Sequence, residues 1–150
     1  MEKKLGLYIH IPFCEHKCDY CDFYSITKFQ DHVRFTDTIL LQMEDYAEKA
    51  AEYEIDTIYI GGGTPTVLPV NRMLEIITGI YRNFNVSPNV EFTMEANPAT
   101  VNLKMLKRYR KAGVNRLSFG LQSASDEGPD FNLLMFGNTS DKILPVVPVA

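Results

Sequence analysis

The sequence predicts an α/β protein built on an open parallel sheet of four or five strand–helix units. Short apolar runs alternate with stretches of helical periodicity along most of the chain. This alternation is typical of βαβ units, whose strands are parallel. Four or five strands are too few to close the usual eight-stranded barrel, so we expect the sheet to stay open.

Four strands are predicted from runs that are rich in β-branched and aromatic residues. They cover residues 5–11, 56–60, 90–95 and 114–120. Residues 131–137 are a candidate fifth strand, although no helical pattern stands directly before them. The proline-containing segment 87–89 is typical of a turn, so we expect the third strand to begin after it.

Three helices are predicted between these strands, where apolar residues recur near a period of 3.6. They cover residues 31–53, 70–84 and 102–112. The third has the clearest ends, because Asn102 is a good N-cap and Gly113 stands where a helix commonly terminates. The helices supply the connections that parallel strands require.

The composition indicates one soluble domain. The chain has 150 residues, of which 45% are hydrophobic and 23% charged, and its net charge is −4. An acidic balance gives no reason to expect nucleic acid or an anionic membrane as a partner. No apolar run reaches the 18 residues that a membrane span needs. The first apolar run is short for a signal peptide, so the cytoplasm is the expected location.

The three cysteines indicate a metal or iron–sulfur site. Cys14, Cys18 and Cys21 lie within eight residues, directly after the first predicted strand. An odd cluster of thiols fits a reducing compartment better than a disulfide framework. Zinc would need a fourth ligand, such as His10, His16 or an acid. An iron–sulfur cube held by three thiolates would keep one iron open to a ligand. The spacing of the cysteines alone therefore leaves three alternatives: a zinc site, an iron–sulfur cluster and a thiol cluster without metal.

Further candidate residues stand where the predicted strands end, and ligands of parallel sheets bind at that edge. The second strand runs into the glycines at 61–63, the third ends at Glu95, and the fourth leads to Gln122. Consecutive glycines let the backbone approach a ligand closely. A glycine run alone can mark only a sharp turn, and Glu95 could be a solvated acid. His10 is expected to be a core histidine, with a position in the barrel lumen as the alternative.

The cysteine triad, the glycine run, residues 94–98 (MEANP) and residues 117–122 (LSFGLQ) occur in order at these strand ends. Together they resemble the oxygen-independent coproporphyrinogen III oxidase group of radical S-adenosylmethionine (SAM) proteins, which includes haem chaperones. The resemblance covers about residues 5–123 and implies a partial parallel (β/α) barrel of about four to five units. It implies a core domain at 1–123 and an atypical tail at 124–150.

The resemblance also implies cofactors and their ligands. A [4Fe–4S] cluster would be held by Cys14, Cys18 and Cys21. The residues around SAM would be Tyr8, Tyr20, Gly62, Gly63, Thr64, Glu95 and Gln122. The implied chemistry is reductive cleavage of SAM to methionine and a 5′-deoxyadenosyl radical. A reductant such as flavodoxin or ferredoxin and a tetrapyrrole or haem are the implied partners.

The sequence departs from the family pattern in two places. Porphyrinogen-oxidising members carry a further cysteine two positions after the third, where this chain has Phe23. That difference favours the haem-chaperone branch. After Gln122 a block of the family pattern is missing. Leu133 takes the place of an acid, and Asn138 and Thr139 replace a Leu-Pro pair.

Three functional alternatives therefore stay open. The chain is a haem-chaperone-like radical SAM protein, an active radical enzyme on a porphyrinogen, or a shortened fragment with incomplete function. An unprotected sheet edge favours pairing with another chain, and a dimer is one arrangement that would cover it.

Overall fold

A computed structural model describes residues 3–14, 25–26 and 31–119 of the chain. Within these residues lie four strands and three helices, together with two 3₁₀ turns at Pro65–Val67 and Pro98–Thr100. In chain order they are β1 Lys3–Ile11, α1 His32–Ala47, β2 Tyr53–Gly62, α2 Val70–Asn83, β3 Val86–Ala96, α3 Leu103–Ala112 and β4 Arg116–Phe119. None of the helices in the described ranges has the length and apolar character that crossing a lipid bilayer requires.

The four strands form one parallel sheet in the order β1-β2-β3-β4. Each helix connects two adjacent strands, so the predicted βα alternation is confirmed. The register places Tyr8 beside Tyr59 and Tyr59 beside Thr93. It also places Glu95 beside Ser118. The carboxyl ends of all four strands consequently meet along one edge of the sheet.

One face of the sheet packs against the helices and forms the core. Alternate strand residues point to this face because successive side chains of a strand point to opposite sides. They join buried helix residues in one apolar cluster, which includes Ile9, Ile11, Ile58, Ile60, Phe92, Met94, Leu117, Met43, Met73, Ile76, Ile77, Ile80 and Tyr109. The opposite face carries Tyr8 and Tyr59, which are 58% and 36% exposed. Among the described residues, the sheet therefore has a core face and an open face.

The pairing of β3 with β4 is reinforced by the side chain of Asn115. The backbone N–H of Phe92 donates to Asn115 Oδ1 at 2.8 Å, and Asn115 Nδ2 donates to the carbonyl of Val90 at 2.7 Å. The backbone N–H of Asn115 also donates to the Phe92 carbonyl at 3.0 Å. These bonds fix the start of β4 beside β3.

The two largest errors in the predicted boundaries concern the first helix and the third strand. The first helix ends at Ala47 rather than at residue 53, and turns connect it to β2. Ala47 and Ala50 continue the helical period, so the pattern did not reveal the helix end. The turn predicted at 87–89 belongs to β3. There the register shifts, since β2 advances from Ile55 to Thr57 while β3 advances from residue 86 to 91. Such an irregularity accommodates Pro88, which has no N–H for a regular ladder.

The candidate fifth strand at 131–137 and the predicted domain boundary at residue 123 lie outside the described residues.

Candidate functional site

The glycine run at the carboxyl end of β2 lies directly against the segment that follows β1. The N–H of Gly63 donates to the Ile11 carbonyl at 2.8 Å, and the N–H of Thr64 donates to the Phe13 carbonyl at 2.7 Å. A Cβ atom at Gly63 would lie 2.6 Å from the Phe13 carbonyl oxygen and 2.7 Å from Cys14 Sγ. Only glycine leaves room for this approach, since a backbone oxygen cannot move aside without moving its chain.

Cys14 is a buried free thiol at the carboxyl end of β1. Its N–H donates to the Ile26 carbonyl at 3.0 Å, and the N–H of Ile26 donates to the Pro12 carbonyl at 2.7 Å. The hydroxyl of Thr64 approaches Cys14 Sγ at 3.9 Å. The preceding residue, Phe13, is fully buried in the core. The position of the thiol is therefore fixed by its backbone bonds and by the core beside it.

Glu95, near the end of β3, contacts the other side of the glycine run. Its Oε2 accepts a hydrogen bond from the N–H of Gly62 at 3.0 Å, and its Oε1 accepts one from the hydroxyl of Tyr59 at 2.7 Å. Burial, together with the hydrogen bond to Glu95 and its charge, raises the pKa of Tyr59 to about 12. The phenol therefore stays a protonated donor at neutral pH. Gly63 touches Cys14 and Gly62 touches Glu95, so two glycines connect the thiol with the carboxylate.

Aromatic rings flank Glu95 on the open face. The ring of Tyr8 lies 6.1 Å from the rings of both Tyr59 and His10, measured between centroids. The Tyr8 hydroxyl is 3.0 Å from His10 Nδ1. Burial and, secondarily, the charge of Glu95 raise the pKa of Tyr8. The expected core placement of His10 is wrong, because strand alternation puts its half-buried ring on the same face as Tyr8.

A hydroxyl network connects the turns that follow β2 and β3. The N–H of Asn97 donates to Thr66 Oγ1 at 3.2 Å, and the hydroxyls of Thr66 and Thr100 lie 2.5 Å apart. Asn97 Oδ1 also accepts from the N–H of Ala99 at 2.9 Å. Since Thr66 is buried, these bonds hold the two strand ends at a fixed separation.

The structure places several of the predicted site residues along the carboxyl edge of β1, β2 and β3. These are Tyr8, Cys14, Gly62, Gly63, Thr64 and Glu95. The remaining four, Cys18, Cys21, Tyr20 and Gln122, lie outside the described residues. Within the described part of the chain, no group of three His, Cys, Asp or Glu side chains could hold a metal ion. The two other cysteines of the triad are not in that part.

Tyr59 is a site residue that the sequence reasoning missed. The alternation of Ile58, Tyr59 and Ile60 does indicate that the tyrosine lies on the face of the sheet opposite the isoleucines. Its hydrogen bond to Glu95, however, depends on the register between β2 and β3. That register was not accessible from the pattern of either strand alone.

Comparison with known proteins settles the family. The profile of the Radical SAM superfamily matches residues 8–149. The chain belongs to the radical SAM superfamily. It is 40% identical over 125 residues to heme chaperone HemW of Escherichia coli (strain K12), covering 82% of this chain and 33% of that protein. It is also 40% identical over 122 residues to heme chaperone HemW of Bacillus subtilis (strain 168), covering 80% and 32%.

A solved structure supports the same grouping. The coproporphyrinogen III oxidase (HemN) from Escherichia coli, a radical SAM enzyme, superposes with a TM-score of 0.78 and 31% sequence identity. The match covers 84% of this chain and 30% of that one. The predicted partial (β/α) barrel and the predicted HemN- and HemW-like group are thereby confirmed. The chain spans about one third of the length of these relatives.

The contact of Gly63 with the segment after β1 can be tested by Gly63→Ala. We expect this substitution to lower the free energy of unfolding by about 1–3 kcal/mol, because the added methyl meets backbone carbonyl oxygens. Urea denaturation followed by circular dichroism measures the change.

Gly6→Ala is the matched control, since a Cβ there meets only the side-chain oxygen of Thr57, at 2.9 Å. Equal stability of the two variants would contradict the proposed need for a bare backbone at residue 63.

Proposed function

We propose that the chain binds a [4Fe–4S] cluster through Cys14, Cys18 and Cys21 and binds SAM beside it, as a radical SAM protein of the haem-chaperone type. The observation that carries the proposal is the double contact of the glycine run, with the Cys14 thiol on one side and Glu95 on the other. Residues 1–123 would form the core of this unit, and residues 124–150 an atypical tail.

The described residues fit the first part of a cluster site. Cys14 is unpaired and buried, and a hydroxyl of Thr64 approaches its sulfur. Cys18 and Cys21 follow at a spacing that resembles the radical SAM signature. Three thiolates leave one iron without a protein ligand, and when bound the cluster supplies the electron for cleavage of SAM at that position. The reducing compartment that such thiols require is in keeping with the cytoplasm.

The carboxyl edge next to Cys14 suits a cationic nucleoside. SAM carries an ammonium and ribose hydroxyls, which can donate hydrogen bonds to the carboxylate of Glu95. It also carries a sulfonium, whose positive charge a carboxylate attracts. The exposed ring of Tyr8 offers a flat surface on the same face, where an aromatic ring also attracts positive charge. Gly62, Gly63 and Thr64 would border the methionine end of SAM. Tyr20 and Gln122 would complete the site.

The haem-chaperone assignment is supported by sequence. This chain has Phe23 at the position where porphyrinogen-oxidising members of the group carry a further cysteine. The relatives that it matches at 40% identity are heme chaperones. We therefore propose haem as the further ligand, with a flavodoxin or ferredoxin as reductant and a dimer as a possible assembly.

Cluster binding is tested by anaerobic reconstitution with iron and sulfide. We expect the chain to bind one [4Fe–4S] cluster with brown absorbance, and we expect Cys14→Ala, Cys18→Ala and Cys21→Ala each to abolish it, since two thiolates no longer hold the cube. His16→Ala, a substitution between the first two cysteines of the sequence, is the control and should retain the cluster. Retention of full iron and sulfide by a cysteine variant would refute the ligand assignment.

Haem titration of the reconstituted chain distinguishes the three functional alternatives. A haem chaperone should bind haem stoichiometrically, with a shifted Soret band, and should leave a porphyrinogen unchanged in the presence of SAM and dithionite. Oxidative decarboxylation of the porphyrinogen would favour the enzyme instead. A chain that holds the cluster but neither binds haem nor cleaves SAM would be a fragment with incomplete function.

A further inference from the structure

The hydroxyl of Tyr59 donates to Glu95 from the neighbouring strand. Tyr59 lies beside Thr93 in the register of β2 and β3, so Glu95 is two residues further along the same face. The phenol reaches along the strands to this diagonal neighbour and donates to Oε1 at 2.7 Å. A distance of 2.7 Å is typical of a strong bond between a hydroxyl and a carboxylate.

Gly61 provides the space in which this pair packs. A Cβ at residue 61 would lie 2.7 Å from the Tyr59 ring and 3.0 Å from the carboxyl group of Glu95. A Cβ at these distances would force the Tyr59 ring and the Glu95 carboxyl group to shift from their positions. The absence of a side chain at Gly61 therefore leaves room for the Tyr59–Glu95 pair, whereas the absence of a side chain at Gly63 leaves room for Cys14.

The two donors to Glu95 act on different oxygens. Tyr59 donates to Oε1, and the N–H of Gly62 donates to Oε2. Because each carboxylate oxygen offers about two acceptor positions, one position on each oxygen is left for another donor. Two bonds on two oxygens also fix the rotation of the carboxylate about its last torsion, which is otherwise broad.

The geometry points to Tyr59 as a positioning residue, which holds the carboxylate of Glu95 in the orientation that receives the polar groups of SAM. This inference rests on the proposed function, in which Glu95 contacts SAM. Tyr59 acts through Glu95 and is not itself in contact with the ligand. A preorganised acceptor binds more tightly because its side-chain entropy is lost before the ligand arrives.

The hydrogen bond from Tyr59 to Glu95 keeps its proton from neutral to moderately alkaline pH. The pKa of Tyr59 is raised to about 12 by burial, by the bond and by the charge of Glu95. The phenol therefore keeps its proton at pH 7 and at pH 10.5, where an ordinary tyrosine of pKa about 10 is largely ionised.

The pair itself is tested without any cofactor, by NMR of the full chain labelled with [¹³Cζ]tyrosine. The Tyr59 resonance is assigned by its absence in Tyr59→Phe. Over a titration from about pH 9 to about pH 12, the resonance should change from the neutral to the ionised value at a lower pH in Glu95→Ala than in the unsubstituted protein. Burial still raises the pKa of Tyr59 in the variant, so the two titration midpoints are compared. Circular dichroism over the same pH range checks that the variants are folded. An unchanged midpoint in Glu95→Ala would overturn the inference.

The positioning role is tested by the dissociation constant of SAM, measured by equilibrium dialysis on the anaerobically reconstituted protein. We expect Tyr59→Phe to weaken binding about tenfold, the loss expected for a hydrogen bond to a charged group. Its iron and sulfide content should be unchanged. Tyr46→Phe removes an exposed phenol on α1 and is the matched control, with no expected change.

The double variant Tyr59→Phe/Glu95→Ala separates an indirect role from direct contact. Because Tyr59 acts through Glu95, the double variant should bind SAM as weakly as Glu95→Ala alone. A further loss in the double variant would show direct contact and overturn the positioning role. Wild-type affinity of Tyr59→Phe beside a weakened Glu95→Ala would overturn it as well. Failure of the unsubstituted, cluster-containing protein to bind SAM would instead refute the proposed function. Measuring the dissociation constant of the unsubstituted protein therefore separates this outcome from a failure of the positioning role alone.

Discussion

The candidate site depends on the close approach of the glycine backbone at residues 61–63 to the neighbouring strand ends. Residues 61–63 present no side chain, so β2 can end in contact with the segment after β1 and with Glu95 of β3 at the same time. The N–H of Gly63 bonds to Ile11, and the N–H of Gly62 bonds to Glu95. Three strand ends are thereby joined through one short stretch of main chain.

The parallel sheet explains why the candidate site residues lie together at the carboxyl ends of the strands. Its strands divide apolar residues from polar ones, since alternate side chains face the helices and the open side. The core beneath the site is fully buried at Ile11 and Phe13, so the residues above it stand on a rigid base. Cys14 and Glu95 lie where β1 and β3 end, which is the ligand-binding edge of parallel sheets. Membership of the radical SAM superfamily is consistent with this arrangement.

The general architecture could be predicted from the sequence because helices and strands carry different periods. Strand alternation and helical periodicity identified the four strands and three helices, and strand ends identified Cys14 and Glu95. Local irregularities could not be predicted. Pro88 is typical of a turn but is accommodated in β3 by a shift of register. The bond between Tyr59 and Glu95 depends on that register, so neither strand alone could reveal it.

We propose that the glycine run separates a metal cluster bound to Cys14 from the Glu95 carboxylate, which binds SAM. Anomalous diffraction at the iron edge, on anaerobic crystals of the reconstituted chain with SAM, tests it most directly. We predict iron density bonded to Cys14 Sγ beside Gly63, with SAM extending from the iron to Glu95. Iron bound without Cys14, or SAM bound away from Glu95, would contradict the account.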